Sequence, residues 1–194
     1  MELAILLLAA GASARMRGRD KLMEPVEGAP LVATMARRAR AVTPHVVVTL
    51  PDLAHPRARA LEGQPLRLLS VPDAATGMSA SFRAAAAALP AEIPGLLILP
   101  ADMPDLTADD LATVAARWRS APDRIHRATA ADGTPGHPVV LPARLLPALK
   151  GLTGDTGPRT LLRPETVVPV RLPARNATTD LDTPEDWAAW RARP

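Results

Sequence analysis

The sequence predicts an α/β fold, a mainly parallel sheet flanked by helices. Three observations carry this. Short apolar runs alternate along the chain with segments of helical patterning, the order that builds strand–helix–strand units. The runs are continuous rather than alternating, as expected of strands covered on both faces. At 194 residues and 47% hydrophobic composition, with no internal repeat and no flexible linker, the chain is expected to form one domain over 1–194 with a substantial core.

The elements follow in order. Leu3–Leu8 is the first expected strand, and Leu31–Val42 the first helix. His45–Leu50 and Leu66–Val71 read as strands, followed by the alanine-rich helix Ser79–Leu89. Leu96–Leu99 is a strand, and Asp109–Trp118 a helix whose start is marked by Thr107 and two following aspartates. The stretches Asp132–Leu141 and Lys150–Arg163 are rich in Gly, Pro and Thr. They are expected to hold loops and a small β excursion over the carboxyl edge of the sheet. Val167–Val170 is the last strand. Pro184–Trp190 is the last helix, with Thr183 as N-cap, proline at the first helical position and Glu185 and Asp186 behind it.

Composition removes several function classes. With no cysteine, disulfides, zinc thiolates, iron–sulfur clusters and cysteine nucleophiles are excluded. The histidines (His45, His55, His126, His137) show no metal-ligand spacing. One Phe, three Trp and no Tyr leave few platforms for stacking bases, and the +3 net charge comes without a basic block, so no nucleic-acid partner is expected. No apolar run reaches the roughly 20 residues of a membrane span. Glu2 stands where a signal peptide carries positive charge, so the expectation is a cytoplasmic protein without a membrane partner. Of 23 basic residues only Lys21 and Lys150 are lysine. In a chain that writes arginine almost everywhere, Lys21 is a position where lysine itself is needed, or a chance placement on a solvated loop.

Four segments carry candidate chemistry, and each follows a strand, where ligands bind in open α/β sheets. "LLLAAGASARMRGRDKL" breaks from an apolar run into small residues and then Arg15, Arg17, Arg19 and Lys21. Small residues let backbone approach a ligand, and the cations suit phosphates. The segment is neither a Walker A loop nor a GxGxxG fingerprint. "LLILPADMP" places Asp102 just past a buried strand, where a carboxylate needs a cation or donors. Mg²⁺ shared with substrate phosphates is the usual partner, and a turn or cap aspartate the plain alternative. "TTDLDTPEDW" puts Asp180 and Asp182 on one face of an extended segment, so that one could complete a metal site with Asp102, or Asp182 could simply cap the following helix. "TGMSASF" sets Gly77, Ser79 and Ser81 at a helix start, a place that can receive a base edge, ribose or phosphate.

Together and in this order, the segments resemble the MobA-like nucleotidyltransferase family. "LAAGASARMRGRDKL" resembles its LAAGxSxRMGxxKL signature with one extra residue, Arg17. "PADMP", "GHPVVLP" and "DLDTPED" resemble its later motifs. "GMSAS" and "GDTGPR" (Gly154–Arg159) resemble the molybdenum cofactor cytidylyltransferase branch, with Pro158 replacing the usual alanine and Val71 standing where many members have Asn.

The resemblance implies a single-domain Rossmann-like nucleotidyltransferase fold. It also implies a reaction in which a substrate phosphate attacks the α-phosphate of an NTP and releases pyrophosphate. Lys21 would stabilise charge on the α-phosphate, and Arg15 would hold the triphosphate. Asp102 and Asp182 would hold Mg²⁺, with Asp180 behind them. Leu8, Ala9, Ala10 and Gly11, with Lys21, Gly77, Ser79 and Ser81, would bind the nucleotide. Family members with LAAG are usually pyrimidine users, so CTP is the expected donor and another NTP the alternative. The acceptor would be a phosphorylated pterin, with His137 either on the acceptor side or a plain loop histidine. A molybdoenzyme or its chaperone would be a further partner. Open alternatives are a transferase for a sugar or polyol phosphate and a non-catalytic nucleotide-binding chaperone. A nicotinamide oxidoreductase lacks its fingerprint here.

Overall fold

In a computed structural model of the chain, residues 2–154, 162–163 and 165–193 are described. Seven strands form one sheet in the order β5-β4-β1-β6-β8-β7-β9, and β2 and β3 form a separate two-residue hairpin. The strands are β1 (Ala4–Leu8), β2 (Pro25–Val26), β3 (Ala29–Pro30), β4 (Val46–Leu50), β5 (Arg67–Ser70), β6 (Gly95–Pro100), β7 (Ile125–Thr129), β8 (Pro135–Pro142) and β9 (Val167–Arg171). The helices are α1 (Leu31–Arg40), α2 (Pro56–Ala60), α3 (Ser79–Ala88), α4 (Ala108–Arg119) and α5 (Pro184–Arg191). Every expected strand and helix is present within one or two residues at each end.

The continuous apolar runs have the expected cause. Along β1, Leu3, Ile5 and Leu7 enter the core under α1, α4 and α5, while Ala4 and Leu6 enter the core under α3. In β6, Leu97 and Leu99 face the first layer and Leu96 and Ile98 the second. Full burial of a side chain of this size is worth about 1.5–3 kcal/mol, so each strand is held from both sides. Both α4 and α5 begin with a capping box, Thr107 with Asp110 and Thr183 with Asp186, which satisfies otherwise orphaned backbone donors.

Two strands depart from expectation. The β excursion expected over the edge is instead β8, a full strand inside the sheet, antiparallel to both β6 and β7. Its three prolines do not break it, because Val139, Val140 and Leu141 carry the central pairing to β6, while Pro135 and Pro142 lie at the ladder ends. β7, pairing β8 on one side and β9 in parallel on the other, has no counterpart in the expected list, because His126 and Arg127 interrupt its apolar run. All the remaining pairings of the seven-stranded sheet are parallel.

Gly136 opens β8. A Cβ there would stand 1.8 Å from the Ala177 carbonyl oxygen. The glycine therefore admits the chain after β9, which the backbone N–H of His137 ties down by donating to the same carbonyl at 2.8 Å. That tethered segment leads to Asp180 and Asp182.

Candidate active site

From β1 the sheet grows outward through β4 to β5, then resumes with β6 on the other side of β1. This reversal is the topological switch point, where the crevice of an open α/β sheet lies. Three chain segments are stitched together there. The Ala101 N–H donates to the Leu8 carbonyl at 3.2 Å, and the Leu181 N–H to the Asp102 carbonyl at 3.1 Å. The ends of β1 and β6 and the Asp180–Asp182 segment thus share one floor.

On that floor the Lys21 Nζ donates to Asp102 Oδ2 at 2.5 Å and to Asp182 Oδ1 at 2.7 Å. Arg15 reaches the other Asp182 oxygen at 2.6 Å. The Lys21 side chain is 13% exposed, against 70% for Arg15, so the lysine is the inner cation and the arginine the outer one. Burial alone would push the lysine ammonium down. The charges and hydrogen bonds of Asp102 and Asp182 outweigh it and hold its pKa above the ordinary lysine value. Asp180 lies at the surface beside them. Its carboxyl is pushed above the usual range by desolvation first, then by the charges of Asp102 and Asp182. Asp182 is not the cap of α5, since Thr183 and Asp186 fill that role; its side chain is turned to the cations instead.

Lys21 is placed by the loop that precedes it. Met16 is fully buried and anchors the loop, while Gly11, Ala12 and Ala14 are exposed. Ser13 and Arg17 both adopt the left-handed conformation, at φ 52° each, which costs a non-glycine residue about 1–2 kcal/mol. Arg17 and Arg19 pair with Glu185 and Glu24 at the surface. The Arg17 pair is exposed on both sides and is worth roughly 0–1 kcal/mol, whereas the Arg19 pair reaches a Glu24 side chain only 11% exposed.

The expected nucleotide residues divide by exposure. Leu8 and Ala9 already use backbone groups inside the fold: the Ala9 N–H bonds the Thr49 carbonyl, and the Leu8 carbonyl accepts from Ala101. Gly11 is exposed, with its carbonyl held by Arg57, whereas Ala10 is only 6% exposed. The Ala10 side chain packs with Val71 and Ala80, bringing the end of β1 against the start of α3. Ser79 and Ser81 are 0% and 5% exposed. The Ser79 hydroxyl accepts from Arg83, so these two serines shape the wall from behind. Gly77, at φ 120° and ψ 171°, holds a backbone conformation essentially reserved for glycine. His137 lies in β8 and serves through its backbone, as described above. Of the GDTGPR segment only Gly154 is described, its carbonyl accepting from the Ser79 N–H; residues 155–159, Pro158 among them, lie outside the described residues.

One residue escaped the sequence reading. Arg57, 2% exposed, extends from α2 beneath the loop and binds it through Ala9, Gly11, Ser13 and Asp20. A cavity of about 310 Å³ lies beside it, lined in part by Gly11, Ser13, Gly18, Asp20 and His55. Nothing in "HPRARA" separates Arg57 from the many other arginines of the chain.

Two carboxylates converging on one cation form a hard oxygen donor set. No cluster of three or more metal-ligating side chains exists among the described residues. A divalent ion that takes one or two carboxylates and completes its shell with phosphates and water fits this pair.

A family model, the MobA-like NTP transferase domain, matches residues 5–171. The chain belongs to this family. Among curated relatives, it is 36% identical over 116 residues to the bifunctional protein GlmU of Kineococcus radiotolerans, covering 58% of this chain and 24% of that protein. It is 34% identical over 124 residues to GlmU of Leifsonia xyli subsp. xyli, covering 61% and 25%. The chain thus spans about a quarter of the length of the curated relatives it matches. Among solved structures, Rv0371c of Mycobacterium tuberculosis H37Rv superposes with a TM-score of 0.83 at 23% identity, over 98% of this chain and 97% of that one. The manganese complex of Rv0371c gives a TM-score of 0.79 at 21% identity, with 97% of each chain covered. At these identities the likeness is one of fold, and it confirms the α/β nucleotidyltransferase architecture of this MobA-like chain. No helix among the described residues is long and apolar enough to cross a membrane.

Proposed function

We propose that this MobA-like chain, acting as one domain over residues 1–194, is a Mg²⁺-dependent nucleotidyltransferase that transfers CMP from CTP to the terminal phosphate of a pterin, of the molybdenum cofactor type, releasing pyrophosphate. The observation that carries the reading is the Lys21 ammonium held between Asp102 and Asp182 at the switch point. A non-catalytic nucleotide-binding module has no need of an inner lysine, an outer arginine and two convergent carboxylates in one place.

Lys21 and Arg15 offer their positive charge to the triphosphate, Lys21 nearest the α-phosphate, where negative charge grows in the transition state. With Lys21 and Arg15 drawn off to the phosphates, Asp102 and Asp182 would hold a divalent cation, which would supply further neutralisation of phosphate charge. Ala10 and Gly11 present backbone to the base and ribose, and Gly77 bounds the same crevice. Holding donor and acceptor phosphate in line accounts for much of the rate in such a reaction. The presence of manganese in the Rv0371c complex agrees with a divalent-ion requirement. The reading places the reaction in the cytoplasm, with a molybdoenzyme or its chaperone receiving the product.

The test is pyrophosphate release with CTP, UTP, ATP and GTP, each with Mg²⁺ or Mn²⁺, against molybdopterin species and against sugar and polyol phosphates. Release that requires both CTP and the pterin supports the proposal. Release only with a sugar or polyol phosphate reassigns the acceptor, and no release with any pair rejects the transferase reading.

A further inference from the structure

We propose that Arg57 is the positioning residue of the nucleotide loop, setting through Ser13 and Asp20 the place from which Lys21 acts. The inference rests on the transferase reading above and deepens it.

All five guanidinium donors of Arg57 are directed at the loop. Nη1 donates to the carbonyls of Ala9 at 2.6 Å and Gly11 at 2.8 Å. Nε donates to Asp20 Oδ2 at 2.7 Å, and Nη2 to Asp20 Oδ1 at 2.7 Å and Ser13 Oγ at 3.1 Å. A buried guanidinium is tolerated only when its donors are satisfied and its charge is paired, and here a single loop meets both demands. The pairing with Asp20 is bidentate, which fixes orientation as well as distance. Asp20 in turn stays below the usual carboxylate range: burial works against this, and the Arg57 hydrogen bond and charge prevail.

The clamp continues to the lysine. Asp20 Oδ1 accepts from the Leu22 N–H at 3.0 Å and caps the short turn Lys21–Met23. Ser13 Oγ donates to Asp20 at 3.1 Å and accepts the backbone N–H of Lys21 at 3.3 Å. Arg57 therefore grips the partners of the Lys21 and Leu22 amides, and it also grips the loop at Ser13, where the backbone is left-handed. It is separate from the Lys21–Asp102–Asp182 cluster and touches none of those charges, so its effect on chemistry passes through loop geometry.

The experiment compares wild type with Arg57→Lys, which keeps the charge and loses the fork, and with Ser13→Gly, which relieves the left-handed backbone while removing the hydroxyl link to Lys21. Amide hydrogen exchange is measured across residues 13–22 and across β1 and β6, together with kcat and donor KM from pyrophosphate release. In Arg57→Lys we expect exchange at Lys21 and Leu22 to accelerate by about tenfold or more while the sheet is unchanged. We expect kcat to fall by about 100-fold, the scale of an ångström-level misplacement, and KM to rise by less than about fivefold. Guanidinium ion added to Arg57→Ala is expected to restore loop protection where ammonium does not. Should the Arg57 variants fail to fold, Ser13→Gly decides: it is expected to keep its Tm and lose about tenfold in kcat. Wild-type loop protection in Arg57→Lys overturns the proposal. So does an unchanged kcat per folded molecule in either variant. If wild type turns over no triphosphate, the transferase reading fails, and the exchange measurements still decide the clamp.

Discussion

The Lys21 ammonium stands 2.5 Å from the Asp102 carboxylate across 81 residues of chain. The same nitrogen bridges to Asp182, so one compact cation occupies the point where two carboxylates converge. A planar guanidinium places its charge differently and presents donors in a fixed fork.

Lys21→Arg is therefore expected to retain donor binding within a few-fold and to lose most turnover, by about 100-fold. Steady-state kinetics with separate nucleotide titration measures both quantities. Full activity in this variant would show that charge alone suffices.

Ala10 governs the expected donor choice. Its methyl packs with Val71 and Ala80, joining the end of β1 to the start of α3. Ala10→Gly should loosen this contact, leave room for a purine and relax the pyrimidine preference. The expected result is a narrowing of the CTP-to-GTP ratio in kcat/KM by roughly tenfold, within the range of one methylene in a pocket, while CTP remains a donor. Parallel kinetics with four triphosphates test it; a wild-type preference for GTP would sink the cytidylyl reading.

Gly136 permits the close approach of Ala177. Gly136→Ala must displace backbone, since its Cβ would meet the carbonyl at 1.8 Å. Overpacking of this kind costs about 1–3 kcal/mol, and here it also shifts the segment that presents Asp182. A lower Tm together with reduced kcat is expected. Gly151→Ala is the control, because a Cβ there meets nothing within 4 Å, and it should leave both unchanged.

His126 gives a pH signature. Its side chain is 1% exposed, Nδ1 faces the Arg124 carbonyl, and Nε2 is buried without a hydrogen-bond partner among the described residues. Burial lowers its pKa below the ordinary 6.5, with nearby Arg117 acting the same way; the Arg124 carbonyl and Asp123 oppose them without prevailing. The unfolded chain therefore binds a proton near pH 6.5 that the folded chain refuses, and stability falls as pH drops through that value. His126→Leu should remove this loss between neutral and mildly acidic pH. Urea midpoints across that range check it, and an unchanged pH slope would contradict the assignment.

The segments that form the candidate site were legible because each is short and carries unusual residues. Lys21 stood out against a background of arginine, and Asp102 and Asp182 each followed a strand. What linked them in space could not be read locally. Arg57 looks like any helix arginine until the fold turns it under the loop. β8 was hidden because proline spacing reads as a loop signal unless the paired valines between the prolines are known to face neighbours on both sides. Ser79 and Ser81 looked like ligand hydroxyls, but α3 starts with both of them turned inward.

The span of the ion-pair cluster also shapes how the molecule folds. β7 and β8 are joined by a short turn and can pair early, whereas bringing Lys21 to Asp182 closes 161 residues of chain. Loop-closure entropy must be met before such a contact returns any stability, so the cluster is expected among the late contacts to form. Substitutions there should appear in the unfolding rate and leave the folding rate nearly unchanged. The residues of the candidate site are in this sense expected to be kinetically silent during folding, free to vary without obstructing the route by which the sheet assembles.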